Sequence, residues 1–200
     1  MSKNPKFSEC KTRLKDLLPK EERRYLANLM LDMTCSVVSK FNTTNQLYLF
    51  PSKDGLFVQN LSNKYNIDLR VQRTGKLSDK IYSILNQDNL KFEKRLVVGS
   101  DIPSISVDEI SECINLLNKY DCVFGPSNDG GFYLVGVKAN AHCIFKNLNM
   151  DTILLKDLQT TCQEHKIRYE LVRKLKDIDC EKDLLFIWTI FFIINCLALD

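Results

Sequence analysis

RLVVGSDIPSIS, residues 95–106, decides how the rest of the chain is read. Leu96, Val97 and Val98 form a continuous apolar run, the pattern of a central strand covered on both faces. Pro103 stops that strand from continuing, and Ser106 with Glu109 three residues later is a capping-box pattern opening a helix over about 107–119. Asp101 therefore stands just past the carboxyl end of a buried strand, where open α/β sheets bind ligands. A carboxylate so placed suits Mg²⁺ or Mn²⁺, hard ions that take oxygen ligands, usually one or two protein carboxylates plus substrate phosphates. A turn aspartate bonded to nearby backbone fits the same spacing.

Working outward, apolar periodicity predicts a helix over about 21–40, with Leu26, Leu29, Met30, Met33 and Val37 on one face, then a strand at 46–50. A weak helix near 55–65 leads to a strand at 67–71, and a helix near 77–87 to the strand at 95–99. Strands at 121–125 and 132–137, a helix near 152–165 and a strand at 167–172 follow. Alternation of this kind predicts an α/β fold, a three-layer sandwich around a mostly parallel sheet. No repeat, low-complexity stretch or Pro/Gly/Ser-rich linker divides residues 1–200, so one domain is expected.

The 200 residues suffice for one hydrophobic core, and apolar and charged fractions of 44% and 26% exclude disordered and collagen-like classes. A net charge of +3 gives no argument for nucleic-acid binding. It is unevenly spread, with 18 Lys+Arg against 10 Asp+Glu in residues 1–100, and 10 against 15 in residues 101–200. That asymmetry suits an anionic ligand held with a divalent cation, and equally a merely solvated surface. The eight cysteines show no CxxC pair and no regular spacing with histidine, which argues against a disulfide framework or zinc site and for reduced thiols in a cytoplasmic protein. No signal peptide is read at the N-terminus. Leu184 to Leu199 is apolar on every helical face, but a membrane span needs about 20 such residues. A buried C-terminal helix over 184–199 is the expectation, ahead of membrane contact or a non-native end.

Two further stretches carry chemistry. In GPSNDGGFYLVG, 125–136, Asp129 precedes Gly130 and Gly131, which remove side chains where a backbone or ligand passes closely; the same four residues from Asn128 make a good hairpin turn. In CKTRL, 10–14, Lys11 and Arg13 offer a compact ammonium and a planar fork suited to a diphosphate, or else belong to a solvated basic face.

Taken in order, these stretches resemble the DUF2064 proteins, a family of GT-A-like nucleotide-diphospho-sugar transferase fold related to 2-phospholactate guanylyltransferases. The resemblance runs from about Lys3 to Trp188. It rests on Lys3-Asn4-Pro5 with Lys11 to Leu14, on Gly99 to Ile105, on Gly125 to Gly136, and on Asp177-Ile178-Asp179 with Asp183-Leu184. It implies that Lys11 and Arg13 face nucleotide phosphates, with Gly99, Ser100, Gly130 and Gly131 lining the substrate. Asp101 would be the principal metal ligand, and Asp129 would lie beside the metal or acceptor in a catalytic position. The implied activity is metal-dependent glycosyl transfer from a nucleotide-diphospho-sugar to a small acceptor; the alternatives are nucleotidyl transfer to a phosphorylated acceptor, or a truncated, non-catalytic nucleotide-binding paralogue. A hydrophobic strand usually precedes the KAP motif, whereas Met1 and Ser2 alone precede Lys3, so the first strand is expected to be missing, leaving unpaired backbone and a gap in the core.

Overall fold

The computed structural model describes residues 1–87, 92–139, 141–146, 148, 151 and 153–184. Strands and helices alternate along it as the periodicity predicts. The order is β1 (Ser2–Lys3), a 3₁₀ turn at Thr12–Leu14, α1 (Lys20–Val38), β2 (Gln46–Phe50), α2 (Leu56–Tyr65), β3 (Asp68–Val71), α3 (Leu77–Asn86) and β4 (Lys94–Val98). Then come α4 (Val107–Leu116), β5 (Cys122–Pro126), β6 (Phe132–Lys138), a second 3₁₀ turn at His142–Phe145, α5 (Leu155–Glu164) and β7 (Tyr169–Leu171). Apart from Leu184, the helix expected over 184–199 lies outside the described residues.

Parallel order holds in one sheet, β1-β2-β3. A second sheet, β4-β6-β5-β7, is mixed: β5 and β7 run parallel, while β6 is antiparallel to both its neighbours. The reason is the short connection after Pro126. A tight turn can join only antiparallel strands, whereas parallel neighbours need a long crossover. The strand expected to be missing before Lys3 is present in part, since Ser2 and Lys3 pair with Leu49 and Phe50 of β2.

Period-2 alternation on β5 and β6 builds the layers. Phe124, Val135 and Val137 point into a core shared with Ile81 and Leu85 of α3 and Leu158 and Cys162 of α5. Val123 and Leu134 point the other way, onto Ile110 and Cys113 of α4. Each such side chain taken fully from water contributes about 1.5–3 kcal/mol, so the two faces of β5-β6 dominate the stability of this half. Gly136 on β6 permits the close seat of α4, because a Cβ there would lie 2.5 Å from the Cys113 sulfur. Cys35, Cys113, Cys122 and Cys162 are buried free thiols, as expected of small core fillers.

Candidate active site

The carboxyl ends of β4 and β5 carry the two acids singled out above, and the loops there are tied down differently. After β4, Gly99 donates its amide to the Tyr133 carbonyl (2.8 Å), extending the ladder by one residue. Ser100 turns inward and donates its hydroxyl to Ser2 Oγ (2.9 Å), linking the loop to β1. Ile102 and Ile105 are buried and anchor the loop that presents Asp101, whose side chain is 58% exposed. The capping box forms as read: Ser106 Oγ accepts from the Asp108 amide (3.1 Å), and Glu109 Oε2 accepts from the Ser106 amide (2.8 Å). Burial pushes the Glu109 carboxyl up, yet hydrogen bonds from Ser106 and the charge of Arg173, with which it forms an ion pair, hold it below the usual carboxylate range.

Lys11 sits at the heart of the cluster. Its backbone is left-handed (φ 51°), and its side chain, only 3% exposed, reaches under the loop. The ammonium donates to the Asp101 carboxylate and to the Ile178 carbonyl (2.7 Å), and lies 3.6 Å from Asp179 Oδ1. Arg13 stays exposed and donates to Asp179 Oδ2 (2.9 Å). The Ile178 amide in turn donates to the Asp101 carbonyl (3.1 Å). Residues 90 and 167 positions away from Lys11 thus meet at one buried cation, which a dry environment tolerates only because carboxylates and a carbonyl surround it.

Asp129 belongs to the β5–β6 turn. Its Oδ1 accepts from the Ser127 hydroxyl (2.5 Å) and the Gly131 amide (2.9 Å), while Gly130 takes the positive φ of 88° that lets the chain reverse. The hairpin reading of that tetrapeptide is therefore correct as geometry. Asp129 also acts at longer range: Asp177 is raised above the usual carboxylate range first by burial and next by the Asp129 charge, with Asp179 and Asp183 adding to it. Asp183 resists the same crowding. Burial would raise it, but hydrogen bonds from Cys180, its amide and that of Asp179 bring it to about 2.

The structure therefore joins Lys11 with Asp101, and Arg13 with Asp179, while Asp129, Gly130 and Gly131 stand together in a separate turn connected to the cluster through the 177–183 segment. Among the described residues no three His, Cys, Asp or Glu side chains converge on one ion-sized space. Asp177 and Asp179 received no role from sequence, although their D-I-D pattern was visible; what they touch was not. Glu109 was read as a cap, and its ion pair with Arg173, 64 residues on, had no local signal.

The chain is similar to known proteins in sequence and in fold. The family described as an uncharacterized protein conserved in bacteria (DUF2064) matches residues 34–152. Over 133 residues the chain is 31% identical to a 2-phospho-L-lactate guanylyltransferase of Methanocaldococcus vulcanius, covering 66% of this chain but only 58% of that relative. In fold it is similar to a crystal structure from Desulfovibrio desulfuricans G20 described as a nucleotide-diphospho-sugar transferase, with a TM-score of 0.78 at 17% identity over 89% of this chain and 79% of that one. The 4-diphosphocytidyl-2C-methyl-D-erythritol synthase of Anaerococcus prevotii DSM 20548 follows, with a TM-score of 0.62 at 14% identity, covering 78% and 83%. At these identities the two structures bear on the fold, and they agree with the α/β architecture described above.

Proposed function

The chain belongs to the DUF2064 family, and from that premise we propose that it binds a nucleoside triphosphate and transfers the nucleotidyl group to a small phosphorylated acceptor. The observation that carries this reading is the buried Lys11 ammonium held against Asp101 at the strand ends, with Arg13 beside it. A cation and a carboxylate so close are what an in-line displacement at a polyphosphate needs, because charge accumulates on the departing pyrophosphate and must be met by groups already in place. The guanylyltransferase relative, of which the chain spans little more than half, supports the same chemistry.

In this reading the acceptor phosphate oxygen attacks the α-phosphorus and the bond to the bridging oxygen breaks, releasing pyrophosphate. Lys11 and Arg13 orient and neutralise the β- and γ-phosphates, Arg13 from the exposed rim. Gly99 and Ser100 line the floor beneath the nucleotide. Asp101, more than half exposed, would hold a Mg²⁺ or Mn²⁺ ion, which when bound supplies further charge neutralisation on the phosphates. In this reading Asp129 and the turn glycines border the acceptor, at an edge where burial first, and next the charges of Asp129, Asp179 and Asp183, raise Asp177.

The test is release of pyrophosphate from each of GTP, CTP, UTP and ATP with Mg²⁺ or Mn²⁺ and phosphorylated hydroxy acids as acceptors, together with thermal shift. Turnover with one triphosphate, lost in Asp101→Asn, is expected. If no triphosphate with either ion raises the melting temperature and Asp101→Asn behaves like the parent, the reading fails. Glycosyl transfer from a nucleotide-diphospho-sugar is the second reading, favoured by the closeness in fold to the Desulfovibrio protein. It would release a nucleoside diphosphate and no pyrophosphate.

A further inference from the structure

At the head of α1, beside the loop that carries Lys11, lies a cavity of about 190 Å³. The segment from Pro5 to Cys10 forms one wall, and the first turns of α1 form the other. Lys11, Arg13, Asp101 and Asp179 do not line it, so it is separate from the strand-end cluster, with Cys10 as the border.

Its lining is rich in cations. Lys6, Lys20, Arg23 and Arg24 bring four positive charges against the two negative ones of Glu9 and Glu21, an excess of two. Arg24 is matched by its ion pair with Glu21, and Lys6 lies over the Phe7 ring (5.0 Å). Arg23 differs from the rest because it is buried, with 8% of its surface exposed. Its Nε donates to the Leu18 carbonyl (3.2 Å) and its Nη1 to the Cys10 carbonyl (3.1 Å). Among the described residues no carboxylate pairs with it, and Nη2 has no partner.

A guanidinium cannot shed its proton, so burying one without a counter-charge carries a penalty that two carbonyl dipoles offset only in part. The same carbonyls fix the plane of the fork. The head of α1 adds to the positive field. Pro19 stands at the cap and makes no side-chain bond there, and the Arg23 amide is the first of the helix to find a backbone acceptor, the Pro19 carbonyl (3.0 Å).

A buried cation and two surplus charges around one small space suit a small, doubly charged oxyanion. A phosphoryl group carries about −1.5 to −2 at pH 7. Size points the same way, since pockets for drug-sized ligands run to about 300–1,000 Å³, which favours a single phosphate over a whole nucleotide. We infer that this cavity binds one phosphate dianion, with Arg23 as its buried anchor and Lys6 and Lys20 as its rim. The bound ion meets the surplus charge and, because Arg23 also holds the Cys10 carbonyl, steadies the loop that places Lys11.

Cys10 lines the cavity and is partly exposed, which makes its thiol the reporter. The full chain is alkylated with iodoacetamide in sodium phosphate, and in sodium chloride of equal ionic strength, and the rate at each cysteine is read by mass spectrometry. Phosphate is expected to slow Cys10 about tenfold, the effect of a like charge that raises a thiol by about one pKa unit. The exposed Cys143 and Cys180 should keep their rates. Arg23→Met is expected to abolish the protection and Lys6→Met with Lys20→Met to weaken it, while Arg13→Met leaves it intact. No protection, equal protection by chloride, or protection unchanged in both cavity variants would overturn the proposal. Protection lost in Arg13→Met and kept in Arg23→Met would overturn it by placing the phosphate at the strand-end cluster. If Arg23→Met does not fold, the double variant decides alone, and unchanged protection there is the overturning result. Pyrophosphate release is not a readout here, so failure of the phosphate site and failure of the nucleotidyl-transfer reading are separate results.

Discussion

Two acidic loops at the same edge of the molecule are held in opposite ways. The turn carrying Asp129 is tied to itself: the carboxylate accepts from Ser127 and Gly131, two residues away on either side. The loop carrying Asp101 is tied to the rest of the protein, through Lys11 from the N-terminal segment and Ile178 from the C-terminal one. A self-tied turn needs little beyond its own sequence. A cross-tied loop is an assembly of three distant pieces around one buried charge, and its geometry depends on all of them. Chemistry that demands fixed positions is better supported by the second arrangement, which is why Asp101, more than Asp129, carries the proposed site.

Substitutions can break that contrast. Asp101→Asn has the largest expected effect, a loss of about 10²–10³-fold in turnover, the scale seen when one preorganised electrostatic group is removed. The check is the pyrophosphate assay on folded protein. Lys11→Met comes next. It leaves Asp101 and the Ile178 carbonyl without their donor and Asp179 without a nearby cation, and since the carboxylates are partly exposed, a destabilisation of about 1–2 kcal/mol is expected alongside the lost turnover. Urea unfolding measures the first and the assay the second. Glu109→Gln weakens the capping box and the pair with Arg173 and should lower stability by about 1–2 kcal/mol with substrate affinity little changed, as read by urea unfolding and thermal shift.

The pH response sharpens the same comparison. Asp183 in the folded chain is lowered to about 2, below its ordinary 3.8. A depressed acid contributes stability that is fully present above the ordinary value and is lost as pH falls through the window down to about 2. Melting temperature against pH should therefore drop in that window, and Asp183→Asn should flatten the drop by loosening the 177–183 segment that carries Asp179. The smallest effect is expected from Asp129→Asn. Asparagine keeps an oxygen for Ser127 and Gly131, so stability should change by less than about 0.5 kcal/mol. A loss of turnover in Asp129→Asn as large as that in Asp101→Asn would overturn the ranking of the two loops.

What was legible in the sequence follows the same division. The strand at 46–50 and the capping box at Ser106 were readable because periodicity and capping involve residues within a turn of one another. The Asp129 turn was readable for the same reason. The hairpin that makes the second sheet mixed was visible in Asn128 to Gly131, yet its consequence for strand direction became clear only with β6 in place. Lys11 and Arg13 were picked as cations from their residue types and spacing, but nothing local indicates that the fold buries the first side chain and leaves the second on the rim. No pattern near Lys11 announces a partner 167 residues away.

By itself, then, the sequence determined the α/β alternation, the cap, the turn and the acid placed at a strand end, because each follows from backbone conformation and side-chain spacing over a few residues. The tertiary structure decided which charges meet, how the sheets divide and where a cavity remains between them. Those outcomes depend on segments far apart in sequence competing for the same buried space, and on the penalty for leaving a charge or a strand edge there without a partner.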